Sequence, residues 1–155
     1  MKTQKGGFTL IELMFAVAIV SVLTAIAIPS YRGYIDKSNN DKAIADIYAM
    51  QVCIERFYTV NFSYPASIAD IVACLPNNGR DPWGNLYAYL NIIDGGPGIK
   101  GSVRKDHKLN PINTNYDLYS NGKNGITKKQ VSQKDSLDDV ILARDGAFVG
   151  LAADF

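Results

Sequence analysis

The sequence predicts an α+β fold in which one long N-terminal α-helix lies on a small antiparallel β-sheet. Two observations carry this prediction. Residues 8–60 have apolar side chains at helical spacing and few breakers, whereas the chain beyond residue 61 is rich in turn residues that separate short alternating segments. One long helix followed by several short strands is the order of elements typical of an α+β domain.

The first half of the helix is apolar on every side. Residues 8–28 form a segment about long enough, at 1.5 Å per residue, to cross the roughly 30 Å hydrocarbon core of a bilayer. Glu12 interrupts this segment, and a carboxylate inside a membrane costs a few kcal/mol by insertion scales. Glu12 is therefore predicted to be functional and to have a partner.

The second half of the helix, residues 30–60, is amphipathic instead. Its apolar positions recur at steps of three and four and predict a buried face made of Ala43, Ile47, Met50, Ile54 and Phe57. Pro29 removes a backbone donor and Gly33 adds flexibility, so we expect a kink or local melting near 29–33 that does not end the helix.

The remaining elements are short. A turn and a short helix are predicted near 67–75, strands over 86–93 and 115–120, and a short strand within 131–142, with a small apolar segment near the C-terminus. The basic, glycine-containing connection over 92–114 predicts a solvated hairpin through 99–104, with a contact to a partner as the alternative.

The composition excludes several function classes. The 155 residues include 16 basic and 15 acidic side chains, so there is no global field to attract nucleic acid. The single histidine, His107, lies in a charged segment that predicts a solvated loop. Because no nucleophile, base and orienting group occur together, we expect no catalysis.

Cys53 and Cys74 are too few for a disulfide-rich scaffold and lack metal-binding spacing. If the apolar segment leads the rest of the chain out of the cytoplasm, the two cysteines enter an oxidising compartment in which a disulfide is allowed. Two small buried thiols are the alternative.

The basic leader, with Lys2 and Lys5, is expected to stay on the cytoplasmic side of the membrane while the remainder is exported. A secretory signal cleaved after Ala25-Ile26-Ala27 is one interpretation, but such signals have a shorter apolar core without an acid. A plain anchor helix fits the length and gives no reason for Glu12.

The segment KGGFTLIE at residues 5–12, followed by about twenty apolar residues and Pro29, resembles the prepilin signature of type IV pilins and type II secretion pseudopilins. The resemblance implies that residues 1–7 are a leader peptide, that a prepilin peptidase cuts between Gly7 and Phe8, and that the new amine of Phe8 is methylated. It also implies that residues 8–29 form first a transmembrane helix and then a filament core, with 30–155 as the periplasmic domain. The new amine lies one helical turn from Glu12, and the two groups are expected to pair between neighbouring subunits.

Two further segments resemble the major pseudopilin of type II secretion. They are RDPWGNLYAYLN at 80–91 and NYDLYSNGKNG at 115–125, and they are supported by SYP at 63–65. The resemblance implies a structural subunit of a secretion pseudopilus, anchored in the inner membrane. Its implied partners are copies of itself, other pseudopilins, prepilin peptidase and an assembly platform. A type IV pilus subunit is the alternative function.

The same resemblance implies one structural Ca²⁺ in the loop after the second segment, and hard cations of this kind take six to eight oxygen ligands. The candidate ligands are Ser120, Asn124, Asp135, Asp138 and Asp139. Asn124 stands where the family usually has aspartate, and three lysines lie between the candidates. An Asp-rich solvated loop without an ion is the alternative.

Overall fold

The computed structural model describes residues 7–96 and 98–155. Its helix and strands confirm the α+β prediction, with helix α1 at Leu10–Asn61 and strands β1 at Ala88–Asn91, β2 at Tyr116–Ser120, β3 at Val140–Ala143 and β4 at Phe148–Leu151. The chain divides into two compact units, one ending at Ser38 and the other running from Asn39 to Phe155.

Helix α1 continues through Pro29, as expected of a proline that interrupts but does not end a strong helical pattern. Within the second unit, the predicted apolar face is the buried face. Ala43, Ile47, Met50 and Ile54 are fully buried, and Phe57 packs half-buried against them. Helical spacing therefore identified the contact surface of α1.

The four strands form one antiparallel sheet in the order β1-β2-β3-β4, so each strand pairs with its neighbour in sequence. The register aligns Ala88 with Tyr119 and Val140 with Leu151. Strand β3 is buried along its whole length because it lies inside the sheet with side chains on both faces covered. Leu118 and Leu142 face the α1 cluster, whereas Ile141 packs with Val131 on the other side.

Two tyrosine hydroxyls tie the sheet to the helix. Tyr87 donates to Asp46 at 2.9 Å and Tyr116 donates to Glu55 at 3.1 Å. Burial raises the pKa of both hydroxyls, and the neighbouring carboxylates add to that shift. Both tyrosines therefore remain hydrogen-bond donors at all physiological pH values.

A disulfide between Cys53 and Cys74 joins α1 to the segment that follows it, with the two Cα atoms 6.2 Å apart. That segment, Ile68–Cys74, is the short helix predicted near 67–75, and it has 3₁₀ geometry. Asp70 accepts the backbone N–H of Ser67 at 2.9 Å and so fixes its beginning.

The connection 92–114 differs from its prediction. Its described residues, 92–96 and 98–114, contain a 3₁₀ helix at Ile99–Gly101 and no hairpin, and Val103, Arg104 and Ile112 are almost completely buried. Lys105 pairs with Gln130 in a parallel bridge, which attaches the connection to the C-terminal loop. The solvated hairpin was wrong because Val103, Ile112 and Arg104 pack inward.

Candidate functional site

The predicted cleavage point lies at the edge of the described chain. Gly7 and Phe8 have no regular structure, α1 begins only at Leu10, and the Phe8 side chain is 92% exposed. A Cβ atom added at Gly7 would meet no atom within 4 Å, so packing within the chain does not require glycine there. The other leader residues, 1–6, lie outside the described residues.

Glu12 has a partner in its own chain. Its Oε2 accepts the Thr9 backbone N–H at 2.8 Å and the Thr9 hydroxyl at 2.7 Å, and the Glu12 N–H donates to the Thr9 hydroxyl oxygen at 3.3 Å. This reciprocal arrangement is a capping box at the start of α1. The Thr-x-x-Glu spacing ahead of an apolar segment could have revealed Thr9 in the sequence.

The first unit presents an apolar helix surface. Thirteen large apolar side chains between Phe8 and Ile28 are at least half exposed in the described chain. Beyond Thr9 and Glu12, the polar residues of this stretch are Ser21 and Thr24, whose hydroxyls donate to the carbonyls of Val17 and Val20 at 2.7 and 2.9 Å. The stretch is long and apolar enough to cross a membrane by length and composition, and its hydroxyls do not need water.

In the second unit, Asp81 organises the 80–85 turn, which lies in the segment 80–91 that carries the family resemblance. The side chain is 1% exposed, and its Oδ1 accepts the N–H groups of Trp83 at 3.1 Å and Asn85 at 2.8 Å. Its Oδ2 accepts the hydroxyl of Ser120 at 2.5 Å. Ser120, a predicted calcium ligand, is therefore engaged with this turn.

Asn124 and Asp138, two more candidate ligands, are bonded to one another. The Asn124 side-chain amide donates to Asp138 Oδ1 at 2.6 Å and to the Asp135 carbonyl at 3.1 Å, while its backbone N–H donates to Asp138 Oδ2 at 2.8 Å. The amide oxygen of Asn124 accepts the Ile126 N–H at 2.6 Å. The three bonds of the side-chain amide fix which of its ends is the donor.

Asp139, the fifth candidate, is completely buried beside Arg104 from the 92–114 connection. The Arg104 Nη2 lies 2.6 Å from Asp139 Oδ2, which also accepts the Thr127 hydroxyl at 2.5 Å. The guanidinium lies over the Tyr119 ring, 4.1 Å from its centroid. Burial raises the pKa of the Asp139 carboxyl, and the hydrogen bonds from Thr127 and Arg104 oppose that shift.

These contacts show that one ion bound by all five candidates does not fit the side chains as they lie. Ser120 and Asp139 point into separate hydrogen-bond networks, and each oxygen of the Asp138 carboxylate accepts an N–H from Asn124. In the part of the chain that the structure describes, no three histidine, cysteine or acidic side chains gather as a metal would need. Arg104 had no sequence signal, because nothing local indicates that a basic connection turns inward.

His107 is the nearest approach to a catalytic arrangement. Its Nδ1 lies 2.9 Å from the Ser132 hydroxyl and 3.5 Å from an oxygen of Asp106. A nucleophile–base–acid relay needs the serine and the carboxylate on opposite ring nitrogens, and here both face the same one. The ring is largely exposed, as predicted for a loop histidine.

Comparisons with known proteins agree with the N-terminal geometry. The family model described as the prokaryotic N-terminal methylation motif matches residues 2–28. No solved structure shows a significant match to the chain.

The curated relatives extend over the rest of the chain. Type II secretion system core protein G of Vibrio cholerae is 32% identical over 117 residues, covering 64% of this chain and 77% of the relative. The protein of the same name from Pseudomonas aeruginosa is 30% identical over 142 residues, covering 80% and 87%. That from Escherichia coli K12 is 28% identical over 140 residues, covering 79% and 84%.

Proposed function

Since the chain belongs to the family of type II secretion system core protein G, the major pseudopilin, we propose that it is a structural subunit of a secretion pseudopilus. It polymerises through its N-terminal helix and supports the export of folded proteins. The relatives favour this function over that of a type IV pilus subunit.

The observation that carries the proposal is the exposed apolar surface of residues 8–28 next to a methylation motif. An apolar patch of this size is not stable in water, so it must be covered by lipid or by other subunits. Before assembly the segment anchors the subunit in the inner membrane with the second unit in the periplasm. After assembly it forms the centre of the filament.

The hydrophobic effect does not by itself drive the transfer from membrane to filament. Removing a large apolar side chain from water contributes about 1.5–3 kcal/mol, but lipid and filament core both exclude water. The difference between the two states therefore comes from close packing and polar contacts between helices. Glu12 is the charged side chain placed to make such a contact.

Prepilin peptidase cuts between Gly7 and Phe8 and methylates the Phe8 amine. The bond lies in irregular, exposed chain just before α1, where a protease can reach it. Because packing does not explain the glycine, its side-chain-free backbone serves recognition by the peptidase. The assembly platform and other pseudopilins complete the set of proposed partners.

The capping box explains how Glu12 is tolerated before assembly. Both hydrogen bonds from Thr9 go to Oε2, and a carboxylate has about four acceptor positions on its two oxygens. Glu12 can thus remain bonded to Thr9 and also accept the Phe8 amine of a neighbouring subunit. That amine exists only after the leader is removed.

The test compares Glu12→Gln with Thr9→Val in a deletion strain. We expect Glu12→Gln to be inserted, cleaved and methylated, as judged by mass spectrometry of the N-terminus, but to form no filaments and to restore no export. Thr9→Val removes the two bonds of the Thr9 hydroxyl and leaves the backbone N–H at residue 9 and the Glu12 carboxylate, so it should still assemble.

Normal filaments from Glu12→Gln would contradict the assembly role. Equal defects in the two variants would assign Glu12 to helix capping alone. If the wild-type strain displays surface fibres of this protein and the deletion strain still exports its enzymes, the pilus function is favoured. A protein that stays unprocessed and monomeric would instead favour a membrane-anchored domain that binds a substrate.

A further inference from the structure

We propose that this chain closes its C-terminal loop with hydrogen-bond donors of its own, the Arg104 guanidinium at Asp139 and the Asn124 amide at Asp138, in place of a bound calcium ion. This inference concerns the stability of the subunit and does not depend on which filament it forms.

The first support is that two departures from the family pattern converge on the two neighbouring carboxylates. Asn124 stands where the resemblance predicts aspartate, and Arg104 lies in the 92–114 connection, outside the segments that carry the resemblance. In the fold, Asn124 bonds to Asp138 and Arg104 bonds to Asp139. The two changes are far apart in sequence but meet at adjacent residues.

The second support is that the donors connect the same kinds of groups that a cation would connect. The Asn124 amide joins a carboxylate oxygen to the Asp135 carbonyl. The Arg104 guanidinium joins Asp139 to Thr127 and to the Tyr119 ring, so it links the connection, β2 and the loop. A planar guanidinium with five donors is suited to such a buried position.

The third support is electrostatic. Calcium binds oxygens at 2.3–2.6 Å, and the Arg104 Nη2 is already 2.6 Å from Asp139 Oδ2. An ion on the same oxygen would lie within about 5 Å of the guanidinium, where like charges repel strongly in a buried site.

Two polar atoms of the pair, Arg104 Nε and Asp139 Oδ1, have no hydrogen-bond partner among the described residues. One is a donor and the other an acceptor. A second cation cannot accept a hydrogen bond from Nε, and binding to Oδ1 would still place two cations on one carboxylate. The two unpaired atoms, Arg104 Nε and Asp139 Oδ1, therefore do not indicate a bound metal ion.

The experiment measures the thermal midpoint of the full chain in detergent micelles, with excess EGTA and with excess CaCl₂. The variants are Arg104→Met, which keeps a long apolar stem without the charge, and Lys108→Met, the matched change at an exposed lysine of the same connection. We expect the wild-type midpoint to be the same in both solutions. Arg104→Met should lower it by about 10–20 °C because a buried carboxylate loses its partner. Lys108→Met should not change it.

A wild-type midpoint that falls in EGTA relative to CaCl₂ would overturn the proposal, and so would an Arg104→Met variant that melts like Lys108→Met. If Arg104→Met does not fold, the double variant Arg104→Met/Asp139→Leu tests the same pair. Removing both charges should restore folding and a midpoint above that of Asp139→Leu alone. A double variant less stable than Asp139→Leu would also overturn the proposal.

Discussion

Replacing Asp81 with asparagine tests whether this buried carboxylate holds the 80–85 turn against β2. The side chain accepts two backbone N–H groups on Oδ1 and the Ser120 hydroxyl on Oδ2. Asparagine can keep the Oδ1 bonds, but its NH₂ group would face the Ser120 hydroxyl and the Asn85 amide, both of which now donate to Oδ2.

The expected loss of stability follows from the hydrogen bond that asparagine cannot make. One charge-assisted hydrogen bond is lost in a site that is 1% exposed, and such bonds contribute about 1.5–3 kcal/mol. For a folded unit of this size, roughly 4 °C of thermal midpoint corresponds to 1 kcal/mol. Asp81→Asn should therefore lower the midpoint by about 6–12 °C. Asp81→Ala should lower it further, since two half-buried N–H groups, those of Trp83 and Asn85, also lose their acceptor.

The assay is thermal unfolding of the full chain in detergent micelles, followed by the fluorescence of Trp83, which is the single tryptophan. Because Trp83 lies near the substitution, tyrosine near-ultraviolet circular dichroism provides a second probe. Asp41→Asn, at an exposed position on α1, is the matched control. If Asp81→Asn unfolds within a degree or two of Asp41→Asn, the carboxylate does not hold the turn and the reasoning fails.

Two further changes probe the attachment of α1 to the rest of its unit. Converting Cys53 and Cys74 to serine opens a loop with a sequence separation of 21. By the chain-entropy model this lowers the free energy of unfolding by about 3 kcal/mol, measured by urea titration with and without reductant. Tyr87→Phe removes the hydrogen bond to Asp46 and should cost about 1–2 kcal/mol in the same titration. Tyr48→Phe, at an exposed tyrosine, is the control.

For each of these two predictions, one outcome would contradict it. Reductant that leaves the wild-type urea midpoint unchanged would contradict a stabilising disulfide. A Tyr87→Phe variant as stable as Tyr48→Phe would show that the helix carboxylate contributes nothing to the attachment of the sheet.

Much of the fold was predictable because its signals are local. The spacing of Ala43, Ile47, Met50 and Ile54 identified the buried face of α1. Strands β1 and β2 lie within the segments predicted at 86–93 and 115–120. The spacing of apolar residues along a helix or strand indicates which of its faces is buried, whichever element packs against that face.

The functional segment was predictable for a related reason. The cleavage motif, the acidic residue Glu12 and the apolar stretch all lie within residues 5–29, and the family model matches residues 2–28. Thr9 was not identified from the sequence. Its contact with Glu12 is also local, and the Thr-x-x-Glu spacing predicts it.

The sequence by itself determined the apolar N-terminal helix, the methylation motif, the buried face of α1 and the approximate strands, because each depends on residues close together in the chain. Tertiary structure alone decided that Val103, Arg104 and Ile112 of the connection pack inward and that Arg104 meets Asp139, 35 residues away. Local patterns cannot reveal such a contact, since a basic loop has the same composition whether its arginine is solvated or buried. Whether the five candidate calcium ligands can meet at one ion depends on where their oxygens point, and only the folded chain shows that Asn124 donates to Asp138 and Arg104 to Asp139.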